Sequence, residues 1–99
     1  MRHWFVTIHR TPKRSAVSDD FARQILAAHT AYFKRLGRRG RCLVAGPFAE
    51  QNVDELGAGF YVLACAAEEE ARWLAEHDPL VEQGLYDYRL REWIKVVPE

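Results

Sequence analysis

The order in which two hydrophobic periodicities alternate along this chain constrains its fold more than any other feature of the sequence. Runs of β-branched and aromatic side chains predict four strands, over residues 4–9, 42–48, 60–66 and 86–97. Apolar side chains at three- and four-residue spacing predict a long helix from Ser18 to Leu36, a shorter helix over residues 67–77 and an extra turn over residues 80–84. The order β-α-β-β-α-β is typical of a ferredoxin-like α+β sandwich, in which a four-stranded antiparallel sheet carries two helices on one face.

Capping residues mark the ends of the predicted helices. Ser18 offers a side-chain oxygen to the free N–H groups of the long helix, and the two aspartates that follow it lie at the positive end of the helix dipole. Gly37 and Gly40 flank the other end of this helix. The second helix is expected to stop at Asp78, because a proline follows it directly.

The charge balance of the chain disfavours nucleic acid and anionic membranes as partners. Lys plus Arg number 14 and Asp plus Glu also number 14, so the formal net charge at pH 7 is zero. No apolar run approaches the ~20 residues of a membrane-spanning helix, and the N-terminus enters strand-like sequence without the pattern of a signal peptide. We therefore expect one domain over residues 1–99, a cytoplasmic location, and neither a nucleic-acid nor a membrane partner.

The two cysteines, Cys42 and Cys65, are too few for a disulfide scaffold and lack the spacing of a zinc or redox site. They are expected to be buried, reduced thiols. A second interpretation pairs them across the hairpin if its turn centres near residues 53 and 54. His3 and His9 share one face of the first strand, but no spaced carboxylates or cysteines accompany them, so no metal site is expected.

The first three predicted strands are apolar on both faces, although two helices cover only one face of a sheet. The other face needs a cover, because an apolar patch of that size promotes aggregation when it is wet. A second copy of the same sheet is the simplest cover, since most soluble oligomers are symmetric homodimers. The sequence therefore predicts a homodimer that associates through its sheet faces.

His29 is the first candidate for chemistry, because it lies on the apolar stripe of the long helix. A polar group there needs a partner, and an acid that orients the imidazole would make His29 a general acid or base. The ordinary alternative is a buried neutral histidine bonded to a backbone carbonyl. Asp78 could supply the acid, because the end of the second helix can reach the layer of the first, although Asp-Pro is also a common helix stop.

Further candidates surround this pair. Gly46 and Pro47 close the second strand, where a glycine permits close approach of a ligand or another backbone, and Phe48 could form an apolar wall. A plain bend at the strand end explains the same residues. Tyr32, one turn after His29, could point its hydroxyl into the same cavity, but a tyrosine on a helix face more often belongs to the core.

Four segments in this order resemble the YCII-related (YciI-like) family over nearly the whole chain. They are HxxYxxxL from His29 to Leu36, RCLVAGPF from Arg41 to Phe48, EEAR over residues 69–72 and DPLVxxGL from Asp78 to Leu85. The resemblance implies a dimeric α+β barrel and an active pair formed by a histidine and an aspartate, which here are His29 and Asp78. It also implies small-molecule chemistry such as the dehydrochlorination of hydroxylated aromatics, or isomerisation, without a cofactor.

The sequence departs from the family pattern after the first strand, where similar proteins often carry an acidic turn. Here the segment reads His9, Arg10, Thr11, Pro12. A more basic pocket mouth predicts a small anionic ligand, such as a carboxylate or phenolate, bound by Arg10 and His9.

Two hypotheses about function follow. In the first, the chain is a cofactor-independent lyase or isomerase in which His29 moves a proton and Asp78 holds the imidazole. In the second, it is a non-catalytic dimeric module that binds a ligand or partner, and the His29–Asp78 pair is structural. The fold does not distinguish them, because one fold hosts many functions.

Overall fold

The computed structural model describes all residues from 1 to 99 and confirms the predicted order of strands and long helices. One short helix over Pro12–Ala16 is added to that order, and the extra turn predicted over residues 80–84 is a short helix over Pro79–Glu82. The elements are β1 (Arg2–Arg10), α1 (Pro12–Ala16), α2 (Asp19–Arg38), β2 (Cys42–Pro47), β3 (Gly59–Cys65), α3 (Glu68–Glu76), α4 (Pro79–Glu82) and β4 (Tyr86–Trp93).

The four strands form one antiparallel sheet in the order β2-β3-β1-β4, which is the ferredoxin-like arrangement. In the centre of the sheet Trp4 lies opposite Leu63, and Val6 lies opposite Tyr61. These side chains are buried under the helices, where Phe33 of α2 joins the same apolar core. Because side chains alternate along a strand, every second residue of β1 and β3 contributes to this core.

The start of α2 is capped as the sequence predicts. The Ser18 hydroxyl accepts a hydrogen bond from the backbone N–H of Phe21, and Asp19 and Asp20 occupy the first turn. At the other end, Gly40 takes a φ of 72°, a conformation that suits glycine and lets the chain turn into β2. The long helix that carries His29 is therefore fixed at both ends by local sequence.

The structure differs from the prediction in one missed helix and one strand boundary. The chain after β1 forms the helix α1, which the sequence analysis missed because none of its side chains is buried and no apolar periodicity marks it. The last strand ends at Trp93 and not at residue 97, because Trp93 pairs with His3 near the start of β1, the neighbouring strand. Ile94 and Val96 have no strand beside them and are both 74% exposed.

The two cysteines are free, buried thiols, as the first interpretation predicts. The alternative of facing partners is wrong, because Cys42 lies opposite Leu63 in the sheet and not opposite Cys65. Burial raises the pKa of each thiol to about 11, so both are protonated at neutral pH.

The second face of the sheet carries several apolar side chains without a helix over them. Phe5 and Phe60 pack there with ring centroids 5.3 Å apart, and Phe48 packs on Phe60. Val44 is 53% exposed and Trp93 is 39% exposed. We call this surface the open sheet face. None of the helices has the length and apolar character that crossing a membrane requires.

Candidate active site

The centre of the site is a hydrogen bond between two residues that lie 49 positions apart in the chain. His29 projects from α2, and its Nδ1 lies 2.7 Å from Oδ1 of Asp78. Because a carboxylate accepts hydrogen bonds, the proton of this bond is assigned to Nδ1, and Nε2 then carries the lone pair. His29 also lines a cavity.

Asp78 is held in place by the local sequence around it. It is the N-terminal cap of α4, and its Oδ1 also accepts a hydrogen bond of 3.0 Å from the backbone N–H of Leu80. Pro79 occupies the first position of the helix, where its missing N–H costs nothing. The carboxylate is fully buried, so the helix-stop role of Asp78 and its contact with His29 occur together. The alternative of a backbone carbonyl as the partner of His29 is wrong.

A cavity of about 660 Å³ lies between α2 and the strands β2 and β3. This volume falls in the range of small-molecule sites. Its wall is largely apolar, with Ile8, Leu26, Phe33 and Leu80 among the lining residues. His29 packs against Phe33 with ring centroids 5.0 Å apart, and Phe33 packs against Tyr61 at 4.3 Å. We call these three residues the aromatic wall.

The charged residues that line the cavity, His29 aside, are all cations. They are Arg10, Arg14, Arg23 and Lys34, and no Asp or Glu lines it. Arg23 forms an ion pair with Asp20, whereas the other three have no carboxylate partner. In a chain with zero net charge, this arrangement concentrates positive potential at one cavity.

Three of the predicted binding residues lie at the cavity, and they are Gly46, Pro47 and Arg10. His9 does not, because alternation along β1 places it on the opposite face from Arg10, where its Nε2 lies 2.7 Å from the Thr7 hydroxyl. Phe48 also lies outside the cavity, since it packs on the open sheet face against Phe60.

Tyr32 is likewise outside the cavity lining, although it follows His29 by one turn. Its hydroxyl donates a hydrogen bond of 2.7 Å to the backbone carbonyl of Leu74 in α3. Burial, together with the nearby charge of Asp78, raises the pKa of Tyr32 to about 12. Tyr32 therefore joins two helices, and its hydroxyl bonds to α3 and does not line the cavity.

Arg14 and Tyr61 are two of the cavity residues that the sequence analysis missed, as are Arg23 and Lys34. Arg14 belongs to α1, the helix that was not predicted, and Tyr61 looks like any core position of an apolar strand. Strand alternation could have placed Tyr61 on the helix-facing side, but no sequence signal shows that its hydroxyl lacks a partner. No cluster of three or more His, Cys, Asp or Glu side chains could hold a metal ion.

The end of β2 packs closely against Gly59 of β3. A Cβ atom on Gly59 would lie 2.6 Å from the Gly46 carbonyl oxygen and 2.8 Å from the Cα of Pro47. A Cβ on Gly46 would meet nothing within 4 Å. The close approach that the sequence analysis attributed to Gly46 therefore requires the absence of a side chain at Gly59.

Comparison with known proteins agrees with this fold. The family model described as the YCII-related domain matches residues 4–94. An uncharacterised protein of Bacillus subtilis, YjpA, is 29% identical over 76 residues, which cover 77% of this chain and 84% of that protein. Among solved structures, 5-chloro-2-hydroxyhydroquinone dehydrochlorinase (TftG) from Burkholderia phenoliruptrix, in complex with 2,5-dihydroxybenzoquinone, superposes with a TM-score of 0.65. It is 21% identical, and the match covers 95% of this chain and 94% of that one.

Gly59→Ala is expected to lower the free energy of unfolding by about 1–3 kcal/mol, the usual cost of overpacking, because backbone atoms of β2 must move. Gly46→Ala is the matched control, with an expected change of less than about 1 kcal/mol and of stabilising sign. Urea unfolding of both variants measures the difference. Equal stability of the two variants would contradict the close contact at Gly59.

Proposed function

Since the chain belongs to the YCII-related domain family, we propose that it is a small-molecule enzyme that works without a cofactor and uses His29 and Asp78 for acid–base chemistry. The observation that carries the proposal is the hydrogen bond between Nδ1 of His29 and the buried carboxylate of Asp78, at a cavity of small-molecule size. Such a bond fixes the orientation of the imidazole and its tautomer, so that Nε2 faces the reactant as a base.

The reaction class that we propose is elimination or isomerisation on a small oxygenated ring. In an elimination, Nε2 takes the proton of a ring hydroxyl and returns it to the ring carbon that bears chlorine, which gives the keto tautomer with an sp³ C–Cl carbon. Nε2 then takes the proton of a second hydroxyl, a new C=O bond and a new ring C=C bond form, and chloride leaves with the C–Cl electron pair, so the net change is the loss of HCl. The resulting imidazolium lies next to Asp78, whose negative charge stabilises it. The dehydrochlorinase activity of TftG, a protein of the same fold, supports this choice of class.

We propose further that the substrate is anionic. Arg10, Arg14 and Lys34 line the cavity without carboxylate partners, so a phenolate or carboxylate would supply the missing negative charge. The apolar remainder of the lining suits a flat ring, and the aromatic wall offers rings to pack against. His9 has no part in this proposal, because it lies on the other face of β1.

The proposed assembly is a homodimer through the open sheet face. Phe5, Phe60 and Val44 make this face apolar, and no helix of the same chain covers it. A second copy would bury these side chains symmetrically.

A second candidate function is a non-catalytic binding module. The observation that favours it is the complete burial of Asp78, which caps α4 and ties it to α2 through His29. In that case the pair contributes to stability, and the cavity binds a ligand without changing it. Substitution of His29 separates the two functions.

His29→Gln is expected to lower turnover by roughly 10²- to 10⁴-fold, the usual contribution of general acid–base catalysis, because an amide cannot act as the base. The amide can still donate a hydrogen bond to Asp78, so the melting temperature is expected to stay near that of the wild type. Chloride release from 5-chloro-2-hydroxyhydroquinone measures turnover. His77→Gln is the matched control, because His77 bonds the Trp73 carbonyl outside the cavity.

Equal turnover of His29→Gln and the wild type would contradict the catalytic role of His29. A wild type that binds ring compounds but releases no chloride and isomerises none of them would favour the binding module.

Arg10→Ala is expected to weaken binding of 2,5-dihydroxybenzoquinone by about two- to fivefold, the effect of one exposed ion pair, and the loss should shrink at high salt. The hydroxyls of this probe are acidic because they are conjugated to carbonyls. Titration calorimetry measures the affinity. Arg38→Ala, at the exposed end of α2 and outside the cavity, is expected to bind like the wild type. Unchanged affinity in Arg10→Ala would count against the anionic ligand.

Sedimentation equilibrium at micromolar concentration is expected to give the mass of a dimer. Phe5→Asp should shift the protein to the mass of a monomer, because a charge on the open sheet face opposes burial of that face. A wild-type monomer at this concentration would contradict the proposed assembly.

A further inference from the structure

We infer that the hydroxyl of Tyr61 donates a hydrogen bond to an oxygen atom of the substrate, which makes Tyr61 a specificity-determining residue of the cavity. The inference rests on the proposed function, since it concerns the same cavity, and it narrows the substrate class. The substrate ring must carry an oxygen atom that accepts a hydrogen bond, from a carbonyl or a phenolate, where the ring lies beside Tyr61.

The position of Tyr61 places it beside the acid–base pair. It lies on the helix-facing side of β3, between Val6 of β1 and Ala45 of β2. Its ring lines the cavity and packs on Phe33, which itself packs on His29. A flat ring that lies along this wall therefore reaches both Tyr61 and His29.

The hydroxyl of Tyr61 has no hydrogen-bond partner in the protein, although the residue is only 2% exposed, and Oδ2 of Asp78 is the other buried side-chain atom without a partner. Buried donors are nearly always paired, because an unpaired one loses its bond to water and gains nothing in return. Two of the other three tyrosines follow that rule, since Tyr32 donates to the Leu74 carbonyl and Tyr88 donates to Glu76. An unpaired donor in the wall of a ligand-sized cavity indicates a partner that arrives with the ligand.

The protonation state of Tyr61 suits a donor and not a base. Burial raises its pKa well above the usual value, and the nearby charge of Asp78 raises it further. The phenol therefore keeps its proton at neutral pH. The two residues have different roles. His29 accepts a proton from the substrate, and the Tyr61 hydroxyl donates a hydrogen bond to a substrate oxygen on which negative charge develops.

The Tyr61 hydroxyl is expected to distinguish between classes of ring compound. A ring without an oxygen at this depth leaves the Tyr61 hydroxyl unpaired in the complex, and sites built to pair a polar group bind such analogues much more weakly. Quinones and hydroxylated rings satisfy the donor. A plain hydrocarbon ring, or one whose sole polar group points at the cations of the cavity, does not.

The test compares Tyr61→Phe with Tyr32→Phe, two variants that each lose one hydroxyl. The affinity for 2,5-dihydroxybenzoquinone is measured by titration calorimetry, and the melting temperature is measured without ligand. In Tyr61→Phe we expect a roughly 3- to 10-fold loss of affinity, the effect of one hydrogen bond, and a melting temperature equal to or above that of the wild type. In Tyr32→Phe we expect unchanged affinity and a lower melting temperature, because the Leu74 carbonyl loses its donor.

Each outcome decides the matter. Wild-type affinity in Tyr61→Phe overturns the role of Tyr61 alone and leaves the proposed function in place. A drop in melting temperature as large as that of Tyr32→Phe, without loss of affinity, assigns the hydroxyl to the core and also overturns the inference. A wild type that does not bind the probe overturns both the ring-ligand proposal and the role of Tyr61.

Discussion

The site depends on the burial of one carboxylate, that of Asp78, away from water. Asp78 is fully buried, and a buried charge is tolerated only with donors around it. Two donors reach its Oδ1, the backbone N–H of Leu80 and Nδ1 of His29. The first starts α4, and the second ties α4 to the middle of α2. These two bonds compensate for the burial of Oδ1 and leave Nε2 of His29 as the free atom of the pair, whereas Oδ2 of Asp78 is buried without a hydrogen-bond partner.

The fold gathers cationic side chains at one cavity, although the chain as a whole has no net charge. The sheet buries Trp4, Val6 and Leu63 under the helices, and the space between α2 and the edge strand β2 remains open as the cavity. Cations from β1, α1 and α2 line that space, and no Asp or Glu lines it. An apolar wall with cations and one oriented imidazole is an arrangement that suits proton transfer on an anionic ring.

Local patterns were sufficient to predict the main elements and the central pair. Strand alternation and helix periodicity predicted the ferredoxin-like order, and His29 could be chosen because a polar residue interrupts an apolar stripe. Side-chain direction was harder, since a one-residue difference places His9 and Arg10 on opposite faces of β1. The Tyr61 hydroxyl is unpaired because the fold places no hydrogen-bond acceptor within reach of it. A sequence pattern does not show which groups the fold brings together.

The most direct measurement is a crystal structure of the protein with 2,5-dihydroxybenzoquinone. The account predicts the ring in the cavity along the aromatic wall, with one ligand oxygen within about 3 Å of Nε2 of His29 and the bond from Nδ1 to Asp78 intact. A ligand bound away from His29, or a His29 side chain rotated so that Nε2 contacts Asp78 and not the ligand, would contradict the central claim.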